Sequence, residues 1–250
     1  MTHSLLAMPN VSKDIWTASD ASIEKGEVNH HSFNSRRIWS YTPFNYKESS
    51  DAFNLLVLTD GFDYLNYLSA KEVLDNLIYK KIIPPTVAIF IDNHKDRFQE
   101  LTCNEGFSSY ISKELIPWIW NNFKVTQNPQ DTVIGGFNLG ALTATYLAYK
   151  HPNIFGNALA QSASFWWNSE WLTQMVKSSD TLPVKFYLNV GIFENKPYDT
   201  EPIMMDAINN MYNVLLSKGY EIKYEQFQSG HDYLSWGETL AKGLIYFMGK

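Results

Sequence analysis

Residues 132–149, reading TVIGGFNLGALTATYLAY, constrain this chain more than any other stretch. A β-branched start (Thr132, Val133, Ile134) runs into Gly135 and Gly136, and Gly140 opens an alanine-rich segment with no further Gly or Pro. β-Branched residues suit a pleated strand, glycines permit a tight reversal, and alanine favours a helix. The stretch predicts a strand, a sharp turn and a helix.

The turn itself reads Gly136-Phe137-Asn138-Leu139-Gly140. This is the G-x-S-x-G nucleophile elbow with asparagine at the serine position. The central residue of an elbow takes a positive φ, which asparagine tolerates better than most residues with a side chain. Asn138 therefore keeps the turn and discards the hydroxyl. An amide offers no proton that a base can readily remove, so acyl transfer through this position is expected to fail.

Strand and helix signals alternate along the chain. Strands are expected in the SRRIWSYTP segment from Ser35, over the apolar run 53–59, and over 86–91. Further strands are expected over 155–162, 183–191 and 221–227. Helices are expected from Ser69 through Lys80, with Ser69 as N-cap and Glu72 completing a capping box, and over 107–123, 202–218 and 234–248. Gly219 suits the position just past a helix end. Residues 92–104 read as a polar loop, and residues 1–30 as an N-terminal arm or edge hairpin. The expectation is one α/β domain over 1–250, a mostly parallel central sheet with helices on both faces.

Composition narrows the function. A net charge of −6 spread over scattered acids argues against nucleic acid as a partner. Cys103 is the single cysteine, which excludes an internal disulfide and suits a reducing compartment. Neither a secretory leader nor a stretch of about 20 apolar residues is evident, so the expectation is a soluble, cytoplasmic protein. No His/Asp/Glu set has metal-ligand spacing, and no cofactor is expected.

In parallel α/β sheets functional groups gather on loops at the carboxyl ends of strands. Past the strand at 183–191 stands Glu194; past the strand at 221–227 stands His231, within Ser229-Gly230-His231-Asp232. The order elbow, acid, histidine is that of α/β-hydrolase triads. His231 is the candidate base and Glu194 the preferred acid, with Asp199 and Glu201 as alternatives in the same loop. Asp60-Gly61-Phe62 follows an early strand, so the backbone N–H groups of Phe62 and Leu139 are the candidate oxyanion-hole donors. The remaining histidines (His3, His30, His31, His94 and His151) are expected to be structural or solvated.

Several strings together resemble the catalytic domain of the enterochelin (enterobactin) esterases, within the esterase D-like α/β-hydrolases. They are Ser35-Arg36-Arg37-Ile38-Trp39, Asp60-Gly61, Arg97-Phe98-Gln99-Glu100-Leu101-Thr102-Cys103-Asn104, the elbow, Gln161-Ser162-Ala163-Ser164-Phe165-Trp166-Trp167, and Gly230-His231-Asp232. The resemblance runs from about Ser35 to the C-terminus, without the separate N-terminal domain of longer members. It implies an α/β-hydrolase fold and a small-molecule ester ligand, with a catecholate siderophore as the family's type. It also implies Asn138 at the nucleophile position, His231 as base and Glu194 as acid. Arg97 would pair with ligand oxygens, its competing use being an ion pair with Glu100, and Trp166 or Trp167 would stack on a ring. Two outcomes follow: a ligand-binding protein with little serine-type turnover, or a hydrolase or lyase that uses His231 without a serine.

Overall fold

The computed structural model describes residues 14–93, 96–196 and 203–249. Its centre is an eight-stranded sheet in the order β1-β2-β4-β3-β5-β6-β7-β8. The strands are β1 (Glu27–Phe33), β2 (Arg36–Thr42), β3 (Asn54–Leu58), β4 (Thr86–Ile91), β5 (Thr132–Phe137), β6 (Asn157–Gln161), β7 (Lys185–Gly191) and β8 (Ile222–Phe227). β1 and β2 are antiparallel to each other and β2 is antiparallel to β4; β3 to β8 run parallel.

Strand periodicity divides the core into two layers, because successive side chains point to opposite faces. Leu55, Val57, Val87, Ile89 and Ile91 join one apolar cluster; Leu56, Leu58, Ala88 and Phe90 join the other. Helix α6 (Leu139–Lys150), α7 (Trp167–Ser178) and α8 (Met204–Ser217) cover the first face. Helix α2 (Ala70–Tyr79) and α9 (Tyr233–Met248) cover the second. A strand covered on both sides is apolar at most positions, which is why β3 and β4 read as nearly unbroken hydrophobic runs.

Four details differ from the sequence expectation. The edge hairpin spans β1 and β2 rather than residues 1–30: Asn34 and Ser35 form its two-residue turn, with φ of 51° and 63°. Residues 1–13 lie outside the described residues. Ser69 stands at the N-cap of α2, but in a left-handed conformation (φ 54°) whose side chain makes no capping bond. Its backbone carbonyl instead accepts from Val73 N–H. Three further helices were hidden from pattern reading: α1 (Gly61–Asn66), α3 (Arg97–Glu100) inside the polar loop, and α7. α7 is obscured by three left-handed residues, Asn168, Ser169 and Glu170, in its first turn.

The helix expected over 107–123 starts earlier, at α4 (Glu105–Tyr110), where Asn104 Oδ1 caps Phe107 N–H at 2.9 Å. It passes through a π turn, Ile111–Leu115, into α5 (Ile116–Asn122). Pro117 supplies the reason, since it has no N–H to donate back along the helix and the wider turn accommodates the missing bond.

Candidate functional site

β5 ends in a turn whose steric demands are explicit. A Cβ on Gly136 would lie 2.4 Å from the Gly140 carbonyl carbon, and one on Gly140 would lie 2.5 Å from Thr59 Oγ1. Only glycine fits either place. Between them Asn138 adopts φ 54° and ψ −121°. Neighbouring backbone holds it there: Asn138 N–H donates to Gln161 O at 3.0 Å, and its carbonyl accepts from Ser164 N–H at 3.1 Å.

The parallel pairing of β7 with β8 continues past the strand ends, with Ile192 N–H donating to Phe227 O and Phe193 N–H to Ser229 O. That continuation sets the loops carrying Glu194 and His231 side by side. Asp232 fixes the second loop by capping α9, its Oδ1 accepting from Ser235 N–H at 3.0 Å and its Oδ2 from the Ser229 hydroxyl at 2.7 Å.

The three side chains expected together meet in one line. Asn138 Nδ2 lies 2.7 Å from His231 Nε2, and His231 Nδ1 lies 2.7 Å from Glu194 Oε2. Asn138 Oδ1 accepts from Leu139 N–H at 2.6 Å. Since an N–H can only donate, the Leu139 contact assigns the amide oxygen, which leaves Nδ2 donating to His231 Nε2 and Nδ1–H donating to Glu194. This is a neutral imidazole with its basic nitrogen facing the elbow. Glu194 is buried, and its second oxygen accepts from the Ser162 hydroxyl and from Gly191 N–H, each at 2.7 Å.

Behind the acid lies a network that sequence reading did not isolate. Trp236 Nε1 donates to Ser162 Oγ at 2.9 Å, and the Trp236 ring meets the His231 ring edge-on at 4.6 Å. Gln161, fully buried, accepts from the Tyr64 hydroxyl and donates to Trp236 O and Thr239 Oγ1. The available signal was a polar pair, Gln161-Ser162, ending an otherwise apolar strand. A run of rings also leads from the site: Trp236 stacks on Phe137 at 4.5 Å, Phe137 meets Tyr233, and Tyr233 stacks on Tyr67 at 5.3 Å. Tyr67 contacts Phe62, and both are exposed.

The other candidates fall as follows. Phe62 is in the first turn of α1, and its N–H has no partner among the described residues. Arg97 Nε and Nη2 grip the buried carboxylate of Asp60 at 2.5 and 2.8 Å. Glu100, the alternative partner for Arg97, pairs instead with Arg36 at 2.5 Å. Trp166 and Trp167 are half-buried against the larger core cluster, and Trp167 meets Trp171 edge-on. Ser164 and Trp167 belong to one turn, so the tryptophan segment is tethered to the Asn138 carbonyl through Ser164.

Asp199, Glu201, His3 and His94 lie outside the described residues. His31 bonds the Ser40 hydroxyl and His151 the Ser108 hydroxyl, both as structural contacts. Burial pushes the pKa of each of these two imidazoles down. Burial likewise pushes the Cys103 thiol up to about 12, which keeps it protonated and unreactive. Among the described residues there is no metal-holding cluster and no helix long and apolar enough to cross a membrane.

The chain has recognisable relatives among known proteins. It matches the esterase family, described as Putative esterase, over residues 31–247. The chain belongs to that family. It is 29% identical over 221 residues to the iron(III) enterobactin esterase of Escherichia coli, covering 84% of this chain and 53% of that protein. It is 26% identical over 233 residues to an iron(III) salmochelin esterase of the same species, covering 86% and 55%. The chain thus spans about half the length of these two relatives. A crystal structure of the enterobactin esterase from Shigella flexneri, in the presence of enterobactin, superposes with a TM-score of 0.83 at 27% identity, over 97% of this chain and 64% of that one. The fold is that of the α/β-hydrolases, and the chain is enterochelin-esterase-like.

Proposed function

We propose that this chain binds a small-molecule ester of the siderophore type and turns it over slowly, if at all, by any serine-type route. The observation that carries the reading is the position of the Asn138 amide. It bridges Leu139 N–H and His231 Nε2, where a hydroxyl nucleophile would stand between its base and its oxyanion donor. In this reading His231 is the base, Glu194 its orienting acid, and Phe62 and Leu139 N–H the carbonyl-oxygen donors. Loss of the nucleophile alone costs on the order of 10⁶ in kcat, while binding and the oxyanion donors survive.

The esterase family membership and the likeness to enterobactin and salmochelin esterases support a catecholate-bearing ester as ligand. Arg97 takes part chiefly by holding Asp60 against the elbow, and Trp166 and Trp167 supply ring surface. A single α/β-hydrolase domain working in the cytoplasm belongs to the same proposal, supported by the lone buried thiol.

A second reading, hydrolysis or lyase chemistry run by His231 without a serine, is favoured by one observation. The imidazole is oriented by Glu194, and the Nε2 lone pair that accepts from Asn138 is the base such chemistry would use.

Calorimetry with a catecholate trilactone tests the first reading. The protein should bind it with product forming at or near the background rate, and Asn138→Ala should bind about threefold to tenfold tighter. That gain is the worth of one hydrogen bond, because the variant frees Leu139 N–H for the ligand carbonyl. Rapid turnover that disappears in His231→Ala would favour the second reading, and absence of binding would reject both.

A further inference from the structure

Asn138 carries a carbonyl and a nitrogen leaving group of its own, and its contacts are those that promote hydrolysis of an amide. Oδ1 accepts from Leu139 N–H at 2.6 Å, at the first turn of α6, where a donor and the helix dipole both stabilise negative charge on oxygen. Nδ2 lies 2.7 Å from His231 Nε2, and Glu194 steadies the opposite ring nitrogen. The His231 side chain is 36% exposed, so solvent water has access to the space beside it. The elbow's backbone bonds to Gln161 and Ser164 keep the side chain projected into this array.

We propose that Asn138 is hydrolysed in place to aspartate, with the site's own groups acting on the side-chain amide. Water takes the place of the Nδ2–H bond at His231 Nε2, adds to Cγ and gives that nitrogen a proton, while Leu139 N–H carries the charge that develops on Oδ1. The Cγ–Nδ2 bond then breaks, and the imidazolium returns the proton to the departing nitrogen. One amide and one water become a carboxylate and ammonium, with no change of oxidation state and no reactant other than solvent.

An oxyanion donor contributes roughly 10² to 10³ and a positioned base roughly 10² to 10⁴, so the combined acceleration is on the order of 10⁴ to 10⁷. Conversion is therefore read as a time course against residues of the same chain that deamidate by the ordinary route. The product replaces a neutral amide at the elbow by a carboxylate, a group that can itself act as a nucleophile. The competing route, ring closure by Leu139 N onto Cγ, requires that nitrogen to lose the proton it donates to Oδ1. This inference goes beyond ligand binding, and its readout depends on no ligand.

The test is incubation of the freshly purified chain at neutral pH in water enriched in heavy oxygen, followed by peptide mass spectrometry. Asn34 and Asn168, each followed by serine, serve as internal clocks for ordinary backbone-mediated deamidation. Aspartate should accumulate at position 138 with one heavy oxygen and without an iso-aspartyl isomer. His231→Gln should slow conversion at this position on the order of 10²-fold and leave Asn34 and Asn168 unchanged. Glu194→Gln should slow it too, and serves if His231→Gln fails to fold by circular dichroism. An Asn138 that stays an amide while the clocks convert would overturn the proposal. So would an unchanged rate in both variants, or a mixture of aspartyl and iso-aspartyl products.

Discussion

Asn138 is the residue on which this molecule turns, and it illustrates how a conservative backbone choice can be a radical chemical one. Asparagine satisfies the positive φ of 54° that the elbow demands while replacing a hydroxyl by an amide. Its partners were legible in the sequence because each follows a strand closely, and parallel pairing brings such loops to one edge of the sheet. Ser162 and Trp236 were not legible, since their meeting depends on how α9 packs against β6. Their role is testable in an Asn138→Ser background. Ser162→Ala removes one donor from the Glu194 carboxylate and strands Trp236 Nε1 in the interior. It should cost about 1–3 kcal/mol in urea unfolding and lower kcat more than it raises KM. Unchanged stability and unchanged kcat would show that the network does not position the acid.

At the scale of elements, the site is held by short pieces that periodicity does not reveal. α3 lies in a polar segment of only a few residues, yet Arg97 on it clamps Asp60 at the head of α1. The sequence resemblance offered Arg97 as a ligand contact; the structure gives its fork to a buried carboxylate. Arg97→Ala leaves that charge uncompensated, and the expected loss is about 3–5 kcal/mol by urea denaturation. A loss below about 1 kcal/mol, the worth of an exposed pair, would mean that the clamp is solvated.

Asp63, in α1, contributes a pH dependence. Burial, helped by the neighbouring Asp60 charge, raises its pKa. Its folded form thus holds a proton to higher pH than the unfolded chain does. The associated stability is present in acid and is lost as pH rises through the raised folded value. Asp63→Asn should therefore gain on the parent above the ordinary carboxylate range and lose that advantage in acid, as read by thermal melts across pH. An advantage that is constant with pH would contradict the assignment. Ser69 marks the opposite lesson, a textually good cap whose left-handed backbone turns its hydroxyl away from the bond.

For the whole molecule, the alternating strand and helix signals were sufficient to place the parallel strands and the covering helices α2, α6, α8 and α9, but not α7. The central parallel strands β3 to β7 are buried on both faces, and that requirement is visible in one dimension. The order of strands across the sheet is not, because it depends on crossovers whose loops carry no such signature. Nor was the antiparallel β1, whose histidines and asparagine read as an irregular arm. The proposed function rests on the same global arrangement and makes a direct statement: the groups around position 138 are kept, and an amide stands where the nucleophile would be.

The most direct measurement of that statement is the esterase rate of Asn138→Ser beside the parent chain, on p-nitrophenyl acetate and a catecholate trilactone. Both proteins should be freshly prepared, with residue 138 verified by mass. A serine variant that gains several orders of magnitude, and loses the gain when His231 is also changed to alanine, is the predicted result. A parent chain that already turns over at the rate of its serine variant would contradict it.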